Sequence, residues 1–375
     1  MKNILSLFFL LGLSVQAGVQ QVTKLKSVSL TTSIQSNATY MVANWSQREL
    51  YVSNSKELLI VSTNNWSVMS HIPLTLIPQG MCFSDSAGLI ATINIMGGVT
   101  SGAKVEIIDL HAGGASRIIN TGVGFYGMSS CSFSNDARTL YLAANIMDAP
   151  GWVKLLSVDT NSGAILNRWS TPDKNGFANI KVLPNGKVYI LAQYNDNTGD
   201  LRVLEGDDIN KKGTLKTINV GMMPTSISFS PDIKCVYLTG VSKDSHMTVL
   251  DTQTDQILNT VPGFSIGNYG YSFPYSKNSR FAYTAGVSGF AGLDLLSNVS
   301  TLWNDQTPDM IYGISSIRQP DETDIVVLLK DGHLDIFEII SPKPPASVRP
   351  PRIRPPEKGR TQPTLPIRHT RQAKH

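Results

Sequence analysis

The residues able to do chemistry in this chain are few and scattered. Its body holds His71, His111, His246 and His333, and no two stand at a spacing that presents paired imidazoles to one metal ion. Neither a Cys-x-x-Cys-His haem attachment nor a Gly-x-Ser-x-Gly nucleophile elbow occurs. Carboxylates are the remaining route to catalysis. Asp148, Asp196, Asp244 and Asp309, with Asn94, Asn145 and Asn195 as neutral donors, would serve a hydrolase that converges oxygen ligands on a divalent cation. Asp and Asn are equally the ordinary residues of turns, so no catalytic residue, metal ligand or cofactor is assigned.

A second set of residues is suited to binding. Met81, Met96, Met128, Met147, Met222, Met223 and Met310 stand in or beside polar, glycine-containing segments. So do Phe125, Tyr126, Trp152, Phe177, Tyr194, Tyr269, Tyr271 and Tyr312. Exposed together, Met and aromatic side chains make adaptable contact with a protein or glycan partner; buried, the same residues would fill a core. A third set is cationic: Arg349, Arg352, Arg354, Lys358 and Arg360 are interspersed with prolines whose stiff, extended backbone lays charge along an acidic partner or an anionic envelope surface.

The elements that must position these residues are strands. Between residues 20 and 341 short runs rich in Val, Ile, Tyr and Leu alternate with Gly, Asn, Asp, Ser and Pro, and no long 3.6-residue periodicity appears. One unit recurs: a strand ending in Phe-Ser, a polar turn, a strand centred on Tyr, a loop, and an apolar strand running into another turn. Tyr51, Ile90, Tyr141, Tyr189, Tyr237, Tyr283 and Val326 mark the middle of its second strand, 39 to 51 residues apart. Such spacing fits the four-stranded blade of a β-propeller. The expectation is an all-β, seven-bladed propeller, with Val22 to Leu30 supplying the outermost strand of a last blade that ends at Pro342. In that register, the Met and aromatic set and the candidate carboxylates fall in the loops of one mouth.

The repeated residues carry a resemblance. Tyr51-Val52-Ser53-Asn54, Ser230-Pro231-Asp232 followed by Val236-Tyr237-Leu238-Thr239, and Val249-Leu250-Asp251-Thr252 resemble the YVTN family of bacterial β-propellers over about residues 22–341. The resemblance implies the propeller fold and, among relatives, secreted binding proteins, surface-layer modules and sugar-lactone hydrolases. Two functions follow as expectations. One is an exported binding or scaffold protein that engages a protein or glycan through the propeller mouth. The other is a lactonase-like hydrolase using carboxylates at the central channel.

Composition bounds the compartment and the domains. With 16% charged and 41% hydrophobic residues the chain is globular rather than wholly disordered, collagenous or multi-span. Lys2, the apolar run Ile4 to Leu13 and Ser14-Val15-Gln16-Ala17 form a secretory signal with cleavage expected after Ala17. No later stretch reaches the length needed to span a bilayer. The mature protein is expected to be periplasmic or secreted, which argues against nucleic acid as a partner. Cys82, Cys131 and Cys235 are odd in number and read mainly as small buried side chains, with a single bridge as the lesser alternative. The mildly basic average, +4, is misleading: residues 342–375 carry nine Lys/Arg against one acid and nine of the 20 prolines. The expected division is therefore 1–17 signal, 18–341 propeller, and 342–375 a basic, Pro-rich disordered tail.

Overall fold

The computed structural model describes residues 21–30, 40–94, 103–122, 129–144, 153–170, 175–194, 196, 198–205, 216–221, 223–230, 233–241, 246–262, 281–286, 289–294, 299–303, 311–318, 323–330 and 332–340. Every regular element among them is a strand. No helix there is long and apolar enough to cross a membrane. Strand β1 is Gln21–Ser29. A first sheet holds β2 to β5 (Tyr40–Asn44, Glu49–Ser53, Glu57–Ser62, Ser67–Pro73), and a second holds β6 to β9 (Gly80–Ser84, Leu89–Asn94, Lys104–Asp109, Ala115–Asn120). The third holds β10 to β13 (Ser129–Phe133, Thr139–Ala144, Val153–Asp159, Ile165–Ser170), the fourth β14 to β17 (Asn175–Val182, Val188–Tyr194, Gly199–Leu204, Lys216–Asn219). The fifth holds β18 to β21 (Met223–Phe229, Cys235–Val241, His246–Asp251, Ile257–Pro262) and the sixth β22 to β24 (Phe281–Gly286, Gly289–Asp294, Val299–Trp303). The last combines β25 to β27 (Gly313–Arg318, Asp324–Lys330, His333–Ile340) with β1 in the order β1-β27-β26-β25.

All pairings are antiparallel, and consecutive strands within a sheet are neighbours. The seven marker residues lie in β3, β7, β11, β15, β19, β22 and β26, each buried. The core lies between sheets. Cys82, Ile107, Leu140 and Leu156 pack the second sheet on the third, Leu50, Val61, Val327 and Leu334 the first on the last, and Leu191, Val203, Ile227 and Leu238 the fourth on the fifth. Contact of β2 with both β6 and β25 brings the beginning of the sheet series beside its end. There β1 pairs with β27 from Gln21↔Ile340 to Ser29↔His333, so the N-terminal strand completes the last sheet as its outermost member.

The count of blades corrects the expectation of seven. Six sheets are four-stranded blades; the unit marked by Tyr283 has three strands among the described residues. Its expected innermost strand falls in 263–280, outside the described residues. Repeat counting could not register this difference, because its marker, Tyr283, stands in β22 and carries no information on the strand before it.

The repeat residues do structural work. Ser134 and Ser230 close the turn after the innermost strand, their hydroxyls accepting from Thr139 N and Cys235 N at 2.9 Å. Asp159 and Asp251 accept from backbone amides two and three residues on, an Asx turn ending the third strand. The Thr that follows each donates its hydroxyl to the earlier turn, Thr160 to Ala137 O and Thr252 to Ile233 O at 2.6 Å. Of the residues that carry the resemblance, Ser230, Asp251 and Thr252 thus stitch turns together.

Candidate functional site

In each four-stranded blade one inner-strand residue faces the marker across the ladder. The register gives Val42↔Tyr51, Phe83↔Ile90, Ser132↔Tyr141, Lys181↔Tyr189, Ser228↔Tyr237 and Ser316↔Val326. All six line one cavity of about 290 Å³ enclosed by the innermost strands. Met41, Trp45, Met81 and Phe229 add apolar wall. One arc of the layer, Val42 and Phe83, is apolar; Ser132, Lys181 and Ser228 of three consecutive blades make the opposite arc polar. Ser132 is held in place because its hydroxyl accepts from Val182 N of the next blade at 3.1 Å. Burial lowers the Lys181 ammonium below the usual lysine range.

Beside this channel, the third and fourth blades share a buried cationic cluster. The Phe177 ring stacks on Trp169 with centroids 5.2 Å apart. The Arg202 guanidinium lies 5.6 Å from the Phe177 centroid and 5.7 Å from that of Trp169. Arg202 Nε donates to Asp200 Oδ1 at 3.2 Å, and one of its terminal amines to the Tyr194 hydroxyl at 3.1 Å. Burial, together with the Asp200 carboxylate that accepts its proton, pushes the Tyr194 phenol up. The Trp169 ring of the third blade, held against Phe177 and Arg202 of the fourth, ties the two blades together.

The structure separates the sequence candidates. Met81 lines the cavity and also packs on the cluster around Tyr51. Tyr194, Met223 and Tyr312 are half-buried at the same end of the strands, and Gln193 Nε2 donating to Pro224 O at 2.8 Å holds the first two elements together. Phe177 is wholly buried in the core, and so offers no contact at the mouth. Met96, Phe125, Tyr126, Met128, Met147, Trp152, Met222, Tyr269, Tyr271 and Met310 lie outside the described residues, as do Arg349, Arg352, Arg354, Lys358 and Arg360 and the signal segment. Of the carboxylates, Asp196 is exposed and accepts from Thr198 N and Oγ1 as a turn residue. Asn94 donates to Ile77 O; Asp148, Asp244, Asp309, Asn145 and Asn195 are outside the described residues. Among those described, no three His, Cys, Asp or Glu side chains cluster as a metal site.

Two features escaped the sequence. Lys181 and its serine neighbours lie inside strands, where a search of loops does not look, yet among the described residues Lys181 is the one charge within the span of an innermost strand, Arg318 standing at the very end of another. The other is a disulfide: Cys82 and Cys131 are bonded, Cα atoms 5.7 Å apart, so the lesser of the two sequence readings, a single bridge, is the one the structure holds. Each cysteine immediately precedes the inner-strand residue facing its marker, so the 49-residue separation is one repeat and places them on adjacent blades. Cys235 is not part of a disulfide.

Comparison with known proteins bears on the fold. A chain of the Kuenenia stuttgartiensis hydrazine synthase aligns over 84% of this chain and 98% of its own length with a TM-score of 0.61. That neighbour has a β-propeller-type fold. The chain is a β-propeller. At 12% identity the likeness extends to the propeller's architecture alone. No family model matches the sequence, and no curated protein does.

Proposed function

We propose that this propeller is an exported binding protein of the YVTN kind. It engages a protein or glycan partner through its mouth, and the basic Pro-rich tail adds a second contact. The observation that carries the reading is the exposed end of the strand ring. Tyr194, Met223 and Tyr312 stand half-exposed there on the ends of three blades, rigidly spaced by ladders and by the Gln193 bond. Blades that fix loop ends in this way are suited to presenting a composite contact surface. Support for export comes from the signal-like N-terminus and from the Cys82–Cys131 bridge, because such bonds persist outside a reducing cytosol.

The test is a pull-down with residues 18–375, 18–341, and a Met223→Ser/Tyr312→Ser variant of each, with partners identified by mass spectrometry. The mouth variant is expected to lose its partner at least about tenfold with its melting temperature preserved, and tail removal to weaken capture in a salt-dependent way. Undiminished capture by a folded mouth variant would remove the mouth from the contact.

A further inference from the structure

The inner strands β2, β6, β10, β14, β18 and β25 contain no acidic residue, and neither does the segment 263–280 in which the remaining inner strand was expected. Among the described residues, the lining of the cavity therefore offers Lys181 no counter-charge. No hydrogen bond or ion pair to its Nζ is present among the described residues. A half-enclosed ammonium with only hydroxyls and apolar groups around it is costly to keep. Folds retain such a group where something else supplies the anion.

We propose that the axial cavity is a binding site for a small monocarboxylate with an apolar body, the carboxylate paired with Lys181 between Ser132 and Ser228 and the body resting on Val42, Phe83 and Met81. The volume, about 290 Å³, lies at the lower end of the range for small-molecule pockets. A single cation matches a single negative charge. A phosphate dianion would ask for a second cation or a cluster of backbone amides, and the described lining has neither. The two arcs of the layer match the two ends of an amphiphilic acid: hydroxyls and ammonium on one side, aromatic and thioether surface on the other. The depressed proton affinity of Lys181 is what burial without a partner produces, and a bound carboxylate would reverse it. The site is independent of any partner at the mouth, and either reading stands without the other.

The experiment compares hexanoate with hexanamide, its neutral analogue of nearly the same shape, by calorimetric titration and thermal shift on mature full-length protein, with octanoate and benzoate as further acids. Hexanoate is expected to bind at least about tenfold tighter than the amide. Lys181→Met should erase that preference, and Lys181→Arg should retain much of it. Lys181→Met should also melt no lower than wild type without ligand, since it removes a desolvated charge. A wild-type protein that binds acid and amide equally, or binds none of the acids at about 10 mM, overturns the proposal without recourse to a variant. So does a folded Lys181→Met protein with unchanged hexanoate affinity.

Discussion

Asp335 illustrates how a buried charge is made tolerable here, and it carries a pH prediction. It lies in β27, wholly buried, and Ser27 Oγ of β1 donates to it at 2.5 Å. Lys24 Nζ of β1 and Lys330 Nζ of β26 approach it at 2.9 Å, the latter as buried as the carboxylate itself. Desolvation pushes its proton affinity up, but the hydrogen bonds from Lys24, Ser27 and Lys330 outweigh it, and the carboxyl is lowered from 3.8 to about 2. A carboxyl depressed on folding stabilises the native state at pH above its unfolded value, and the contribution is lost as pH falls from about 4 through about 2. That difference is worth about 2 kcal/mol. Urea unfolding from pH 7 down to pH 2 should show this loss. Asp335→Asn should flatten that part of the profile and, by leaving Lys330 buried without its counter-ion, cost about 3 kcal/mol at neutral pH. An identical acid slope in the variant would mean that Asp335 is not the titrating group. Nothing in the sequence around Leu334-Asp335-Ile336 marks this aspartate, because two of its partners, Ser27 and Lys24, come from residues more than 300 positions away in the chain and only Lys330 is near.

At the scale of elements, the inner strands of the second and third blades are joined covalently, and this has a measurable consequence. The Cys82–Cys131 bond closes a 49-residue separation across a packed interface. Chain-entropy reasoning assigns a loop of that length about 4 kcal/mol, and measured effects commonly fall at about 2–4 kcal/mol. Cys82→Ser/Cys131→Ser should therefore unfold at clearly lower denaturant, with a somewhat steeper denaturant slope because the unlinked chain exposes more surface on unfolding. Thiol titration of the exported, denatured wild-type protein should find one reactive group, Cys235, where a reduced chain would give three. The strands themselves were legible: the row of Tyr, Ile and Val markers sits on second strands because a β-strand that is buried on both faces between blades needs large apolar residues there. The bond was legible only as the lesser alternative, since an odd cysteine count points away from a framework unless the residues are aligned by repeat. The blade count failed for a related reason. Marker spacing registers a unit's second strand but is blind to its first, so seven markers carried no information on how many strands each unit holds. Likewise, the mouth was searched through loop composition, whereas the cavity is lined by residues that read simply as strand interior.

At the scale of the whole molecule, the chain divides into residues 1–342 and 343–375, and charge divides with it. The C-terminal stretch from Pro342 holds nine Lys/Arg and one acid, leaving the rest of the chain net acidic against an overall charge of +4. A partner that meets both parts would see two surfaces of opposite sign, so the contributions must be separable by salt. Each Lys or Arg near an anionic membrane surface contributes about 1 kcal/mol, an attraction that fades within a Debye length of about 10 Å at 0.1 M salt. The full mature protein is therefore expected to stay with anionic envelope fractions at about 0.05 M salt and to be released by about 0.5 M, whereas residues 18–341 should show little salt dependence across that range. Replacing Arg349, Arg352, Arg354, Lys358 and Arg360 together by Gln separates charge from chain. If the electrostatic reading is right, this variant behaves like the deletion although every proline remains. Retention of the neutralised tail at low salt would instead assign the contact to the polyproline-like backbone, as in Pro-rich recognition by aromatic grooves. The propeller's own behaviour should be untouched in both cases, because the melting of residues 18–341 draws on contacts between sheets that contain none of the tail.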